Sequence, residues 1–359
     1  MTIVEIAKEA GVSIATVSRV LNNGSVSAKK RSLVEAVIEK HKFQPNLLAR
    51  GLINRQSETI GLITHGISNH FNMDFIQVVE RHCNDMGYLL FVCICESKDP
   101  PEMERLFLND LIARQVNGII LHDSFSENYD SGFLSHIAKQ IPLVIIHSFN
   151  SSQDINSVEV DQVLGMRKVM THLIDLGHRD ILFLRGPNAP VSSIATTQAD
   201  RPSSRGPNSN SYDSKEEVWR EALAAVGSPP PPESRIVIAK GNMEEGILET
   251  EERIDALFSS GRVPTAIFGC NDIMATGALN AARKHGIPVP ERLSVVGHDN
   301  TILAASGRIT SVDLKTQSVG HASIDLLLHA MSEEDKEPRR LIISPDLVIR
   351  NSTGPVASS

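Results

Sequence analysis

Ile14, Ala15, Ser18 and Arg19 share one side of a stretch whose other side carries Val17, Val20 and Leu21 at helical spacing. An arginine beside small and apolar side chains is a base-reading set: the guanidinium grips a guanine edge bidentately while Ile14 and Ala15 meet thymine methyls. Thr2, Ser13, Thr16, Ser18, Asn22 and Ser27 suit phosphate contacts, which position a protein on a duplex without reading its sequence. Single exposed apolar residues are also ordinary surface features, so the row needs support from its surroundings.

That support comes from the elements that must hold it. Thr2 and Glu5 have the spacing of a capping box, and Ile6, Ala7 and Ala10 follow on one helical face. Gly11 stops this helix, Ser13 caps the next, and a third is expected from Ser27 to about Lys40 with Leu33, Val34, Val37 and Ile38 inward. Two short helices around Gly11-Val12-Ser13 make a helix-turn-helix, which leaves its second helix free for the major groove. Through residue 60 there are nine basic and five acidic side chains, a net +4, so the remainder of a chain of net charge −8 carries −12. A basic head on an acidic body is the distribution that phosphate binding requires.

Residues 45–57 read as a linker, and 58–359 as the body. The body alternates short apolar runs with amphipathic helices, the pattern of doubly wound α/β sheets, and its length suggests two lobes. Strands are expected at Ile60–Thr64, Tyr88–Ile94, Gly118–Leu121, Leu143–Ile146, Asp180–Leu184, Arg235–Ile238, Thr265–Phe268 and Ser294–Val296. Between Gly186 and Lys215 a Ser-, Pro- and Asn-rich stretch is expected to be a mobile surface insertion, with a lid over the cleft as the functional alternative.

No Gly-x-Gly-x-x-Gly, P-loop or Gly-x-Ser-x-Gly follows a strand, so neither an enzyme nor a cofactor is expected. Cys83, Cys93, Cys95 and Cys270 lack metal-ligand spacing and are read as core; no metal site is expected. Free thiols, an amino terminus without a basic or apolar segment, and no run of about eighteen apolar residues point to a cytoplasmic protein without membrane contact.

The run Ala10-Gly11-Val12-Ser13, then Ala15-Thr16-Val17-Ser18-Arg19-Val20-Leu21-Asn22, then Pro45-Asn46, Ala49-Arg50 and Leu52, resembles the lactose-repressor/galactose-repressor (LacI/GalR) family of bacterial transcription regulators. The body extends the likeness through Val116-Asn117-Gly118, Gly177-His178-Arg179, Asn271-Asp272, Gly277-Ala278-Leu279 and Ser294-Val295-Val296-Gly297. The resemblance implies a small all-α head on a two-lobed, periplasmic-binding-protein-like α/β core. It also implies a homodimer on pseudo-palindromic double-stranded operator DNA, and a small-molecule effector, a carbohydrate by family habit, between the lobes. Asn46, Ala49, Arg50 and Leu52 match a hinge helix that orders on the operator and drives a leucine into the minor groove.

By the same resemblance the effector site includes His65, Phe71, His147, Lys215, Met243, Asn271 and Asp299. Structural roles stay open for several: Asp272 or Asp299 as caps, Phe71 as core, His147 as an ordinary buried histidine. His147, His298 and Lys215 depart from the family's usual Asp, aromatic and Arg, which puts an ordinary sugar ligand in question. The amino-terminal lobe is expected to comprise 58–155 with 290–317, and the carboxy-terminal lobe 160–288 with 319–350, with crossings near 150–162, 288–292 and 315–320. The rivals are a periplasmic-type binding protein, disfavoured by the basic head, and an α/β enzyme, disfavoured by the motif search.

Overall fold

The computed structural model describes residues 1–21, 24–43, 57–64, 66–67, 70–95, 100–122, 131–146, 154–186, 211–227, 235–239, 243–332 and 337–356. Two compact units divide the chain, Met1–Ser57 and Glu58–Ser359. The first holds α1 (Ile3–Glu9), α2 (Ile14–Leu21) and α3 (Ala28–His41) around Ile6, Ala7, Ala10, Val17, Val20, Val34 and Val37. Both halves of the capping box form: Glu5 N–H donates to Thr2 Oγ1 at 3.3 Å, and Thr2 N–H to Glu5 Oε2 at 2.7 Å. Gly11 turns the chain at φ +65, where a Cβ would be strained, and Ser13 Oγ accepts from Thr16 N–H at 3.2 Å to start α2. Glu9 at the end of α1 accepts from Lys40 Nζ at 2.8 Å and lies 2.9 Å from His41 Nε2, joining α1 to the end of α3. Leu33, expected inward, is exposed. The buried stripe of α3 is Val34 and Val37, and a residue one step before Val34 falls about 100° around the helix from it.

The second unit contains two six-stranded sheets. In chain order its elements are β1 (Thr59–Thr64), α4 (His70–Asp85), β2 (Leu89–Ile94), α5 (Pro100–Ala113), β3 (Gly118–His122), α6 (Ser131–Ala138), β4 (Leu143–Ile146) and β5 (Asn156–Val160). Then come α7 (Gln162–Asp175), β6 (Ile181–Arg185), α8 (Ser211–Ala225), β7 (Ile236–Ile238), α9 (Met243–Ser259), β8 (Ala266–Gly269) and α10 (Asp272–Lys284). The last are β9 (Ser294–Asp299), α11 (Ile302–Gly307), β10 (Thr310–Asp313), α12 (Thr316–Met331), β11 (Arg340–Ile343) and β12 (Asp346–Val348). The first sheet runs β11-β5-β4-β3-β1-β2, all parallel. The second runs β12-β10-β9-β8-β6-β7, parallel except where β12 meets β10. β1, β3, β4, β6 and β8 are buried along their whole length, as strands covered on both faces must be, which is why they read as unbroken apolar runs.

The exchange of segments between lobes differs from the sequence expectation. Residues 294–313 pair in the second sheet, not with the amino-terminal lobe, and 316–343 return to the first lobe, where α12 packs on α4 and β11 pairs with β5. The β8–α10–β9 unit lays β9 directly beside β8, so a lobe boundary at 288–292 would cut a strand–helix–strand unit in half. Two crossings fall at or beside the expected ranges, at Asp161 and Leu314–Lys315, and the third falls at Ser344–Pro345, not at 288–292. Each leaves the carboxyl end of a strand.

Helices α9 and α10 approach so closely that a Cβ on Gly277 would stand 2.6 Å from the Ile247 carbonyl oxygen and 2.7 Å from Thr250 Cβ. Backbone cannot give way as a flexible side chain can. Gly277→Ala is therefore expected to lose about 1–3 kcal/mol of stability despite alanine's better helix propensity. Urea unfolding followed by fluorescence of the single, fully buried tryptophan, Trp219, measures this, and an unchanged midpoint would contradict the close packing.

Candidate functional site

On the head, Ile14 is 51% exposed, Ala15 and Arg19 are exposed, and Ser18 is half-buried, all opposite the buried Val17 and Val20. Thr2, Ser13 and Ser27 are exposed at helix starts. Thr16 is turned inward and its hydroxyl lies 2.9 Å from Ser13 Oγ, so of the expected phosphate contacts this one is spent on the turn. Asn22, Asn46, Ala49, Arg50 and Leu52 lie outside the described residues, as do His65, His147 and the 187–210 insertion; so does the side chain of Met243. Lys8, Lys29, Lys30, Lys40 and Lys42 are exposed, so the positive charge of the head is available at its surface.

In the second unit a cavity of about 430 Å³ opens between the lobes. Phe71, Asp74 and Arg81 of α4 line one side; Asp299, Asn300 and Lys315 line the other. These are groups at the carboxyl ends of strands or on the helix that follows one, where open α/β sheets hold ligands. Phe71 thus reaches both the core and the cavity, and Phe75, one turn on, stacks on His122 with ring centroids 4.6 Å apart. His122 closes β3 with Nδ1 3.0 Å from Thr64 Oγ1, a position that carries no signal in the sequence.

The second lobe gathers Lys215, Asn271 and Asp299. Lys215, on the first turns of α8, is 5% exposed, and its Nζ donates to the Cys270 carbonyl at 3.1 Å. His298 Nδ1 lies 3.4 Å from that ammonium and 3.0 Å from Asp299 Oδ1. A carboxylate only accepts, so the shorter contact places the imidazole proton on Nδ1. Burial, then the Lys215 charge, hold the His298 pKa well below the usual imidazole value, so the ring is neutral. Next to Lys215 in sequence, Glu216 faces the other way and pairs with Arg185, the last residue of β6, and with Arg220 at 2.9 Å. Asn271 caps α10, its Oδ1 accepting from Met274 N–H at 2.9 Å.

Asp272, for which a capping role was open, does not cap α10, since Asn271 does; it stands first in the helix and serves another purpose. Its carboxylate accepts from Thr301 N–H at 2.7 Å, Thr301 Oγ1 at 2.9 Å and Ser311 Oγ at 2.6 Å. Gly297 leaves room for it: a Cβ there would stand 2.3 Å from Asp272 Oδ1. Those bonds fix a turn in which Asp299 and Asn300 take φ of 103 and 54, both in the left-handed region. Arg350 secures the same turn from behind, donating to Asn300 Oδ1 at 2.5 Å and to the Ile309 carbonyl at 2.7 Å. Partners this far apart in sequence leave no local signal.

Among the described residues no group of three or more His, Cys, Asp or Glu could hold a metal ion, and no helix is long and apolar enough to cross a membrane. Comparison with known proteins gives a consistent result. A family profile described as "Bacterial regulatory proteins, lacI family" matches residues 2–46, and one described as "Periplasmic binding protein-like domain" matches residues 170–353. The chain is 31% identical to the HTH-type transcriptional regulator DegA of Bacillus subtilis (strain 168), over 99% of this chain and 98% of that protein. It is 30% identical to catabolite control protein A of Priestia megaterium, over 98% of this chain and 99% of the relative. Among solved structures, the lac repressor dimer bound to operator and the anti-inducer ONPF superposes with a TM-score of 0.81 at 25% identity, over 99% of both chains.

Asp272 also predicts a pH dependence. Burial, then the neighbouring Asp299 charge, raise its pKa from the ordinary 3.8 to about 7, against the opposing hydrogen bonds of Ser311 and Thr301. The folded protein thus keeps a proton that the unfolded chain has released, and this contribution to stability falls as pH rises through that interval. In Asp272→Asn the proton no longer titrates. The decline of the melting temperature between roughly pH 4 and pH 7 is expected to be shallower than in the wild type; parallel profiles would refute it.

Proposed function

Because the chain belongs to the lacI family of bacterial regulatory proteins, we propose that it is a repressor acting in the cytoplasm, binding a pseudo-palindromic operator as a homodimer, with a small molecule between its lobes setting the affinity. The observation that carries the reading is the exposed row of Ile14, Ala15 and Arg19 on α2, opposite a buried stripe and within a basic head. Arg19 reads a guanine and Ile14 with Ala15 reads neighbouring methyl groups, while Thr2, Ser13, Ser18, Asn22 and Ser27 hold phosphates. Leu52 of each subunit wedges the centre of the site, helped by Asn46, Ala49 and Arg50, and the bend it imposes brings further contacts.

Exposed apolar side chains on both lobes favour a dimer. Leu89, Phe91 and Val92 are exposed on β2, an edge strand of the first sheet, and Leu248 of α9 and Ile302 of α11 are 63% and 60% exposed on the second lobe. An open apolar edge is a liability unless something covers it, and a second copy of the chain supplies a cover that also places two heads on two inverted half-sites. In the cleft Phe71 offers a stacking face, and Lys215, Asn271 and Asp299, with His65, His147 and Met243 by resemblance, offer polar contacts to a carbohydrate or sugar derivative. Ligand that favours one relative setting of the lobes shifts the population of the operator-binding state. This is binding chemistry, with no catalytic step.

Selection of bound sequences from a random DNA pool with the full-length protein tests the reading. An inverted repeat should be recovered, and Arg19→Ala should weaken binding to it by about 10- to 100-fold while non-specific DNA binding changes little. Failure to enrich any sequence would sink the operator assignment; equal losses on specific and random DNA would sink base reading by Arg19.

A further inference from the structure

Among the described residues Lys215 is a buried cation with no acid in direct contact. Its ammonium meets a backbone carbonyl and a neutral imidazole, and among the described residues no carboxylate lies within 4.0 Å of it. The nearest acid in sequence, Glu216, is committed to Arg185 and Arg220. Buried charges are normally paired, since removal from water is costly and a carbonyl dipole replaces only part of the lost solvation. With the His298 proton on Nδ1, that nitrogen cannot accept from the ammonium, so of three N–H donors on Nζ only the one to the Cys270 carbonyl is used and two are left over.

A second, independent observation points the same way. One turn on, on the same face of α8, Trp219 is fully buried and its indole Nε1–H has no hydrogen-bond partner among the described residues. His298, touching Lys215, is also fully buried, and with its proton on Nδ1 its unpartnered Nε2 is an acceptor suited to a hydroxyl donor. Asp299, at the cavity wall, closes the chain of contacts from Lys215 through His298. The site therefore holds an unneutralised positive charge and surplus N–H donors at the carboxyl end of a sheet, needing an acceptor-rich, negatively charged group. Aspartate beside it supplies the acceptor that sugar hydroxyls need.

We propose that the effector of this protein carries an oxyanion, a phosphate monoester or a carboxylate, on a polyhydroxylated body, with Lys215 as the counter-ion of that group. The proposal rests on the effector-cleft reading above and narrows its ligand class. An uncharged sugar would leave the ammonium buried and unpaired, whereas an oxyanion neutralises it at the cost of dehydrating one small group.

Isothermal titration of the full-length protein with matched series tests this: neutral hexoses and pentoses, their phosphate monoesters, and their aldonic acids, with inorganic phosphate and sulfate as bare oxyanions. Each compound is also added to an operator-binding assay. At least one charged compound should bind about tenfold or more tighter than its neutral parent, and should change operator affinity. The phosphate and aldonate arms identify which oxyanion is recognised. Lys215→Met should abolish the preference, read as the ratio of charged to neutral affinity within the variant itself, and Lys215→Arg should retain part of it. The comparison on the wild type stands even where the methionine variant does not fold. Neutral parents binding as tightly as their charged counterparts, or a preference that persists in Lys215→Met, would overturn the proposal and leave the effector cleft standing. Operator affinity unmoved by every compound would overturn the effector cleft and this proposal with it.

Discussion

Everything in the second unit depends on the chain passing between its sheets three times, each time from the carboxyl end of a strand. That constraint turns the ligand-holding ends of two parallel sheets toward one seam, and the cavity lined by Phe71, Asp74, Asp299 and Lys315 follows from it. It also permits movement, because three short crossings restrict sliding far more than they restrict hinging. The crossings are laced together in the structure. Asp161 N–H donates to the Ile343 carbonyl at 3.0 Å, Lys315 reaches Asp313 at 3.1 Å and Asp346 at 2.8 Å, and Lys168 reaches the Pro345 carbonyl at 2.7 Å.

The two walls of the seam are built differently. On the first lobe, α4 presents Phe71 from a helix whose inner face is held by Phe75, Val78 and Val79, so the wall is as rigid as the core behind it. On the second lobe the wall is a turn in an unfavourable backbone region, and it persists because Asp272, Ser311 and Arg350 over-determine it. Strain of this kind keeps Asp299 and Asn300 in place before any ligand arrives, so less ordering remains to oppose binding.

How far the sequence could be read follows from how local each signal is. The head was legible because its determinants lie within a few residues of one another: Thr2 with Glu5, Gly11 at a positive φ, Ser13 with Thr16. The fully buried strands were legible as apolar runs. β10, β11 and β12 were not: Thr-Ser-Val-Asp, Arg-Leu-Ile-Ile and Asp-Leu-Val are too short and too mixed to announce a strand, and without them the lobes exchange their last segments. Asp272 was visible only as a candidate cap because Thr301 and Ser311 lie 29 and 39 residues away. Lys215 could be placed by resemblance, but that no carboxylate among the described residues meets it is a property of packing that no motif encodes.

The charges that lace the crossings are also the charges that face the cavity. Asp313 and Lys315 line it, and both take part in the network that ends at Asp346. These pairs are solvent-accessible, and exposed ion pairs contribute little net stability because water competes for each partner. A ligand inside the seam meets the same groups with water partly excluded, where a hydrogen bond to a charge is stronger than it is at the surface. The exchange of a weak inter-crossing pair for a stronger ligand contact therefore runs downhill, and it acts at the points about which the lobes turn. A ligand can shift a conformational equilibrium only by its differential affinity for the two states, and contacts at the hinge are the ones that differ most when the hinge moves. Buried Lys215, deep in one lobe, can set which ligand enters; the exposed charges at the crossings can convert its arrival into a change of shape.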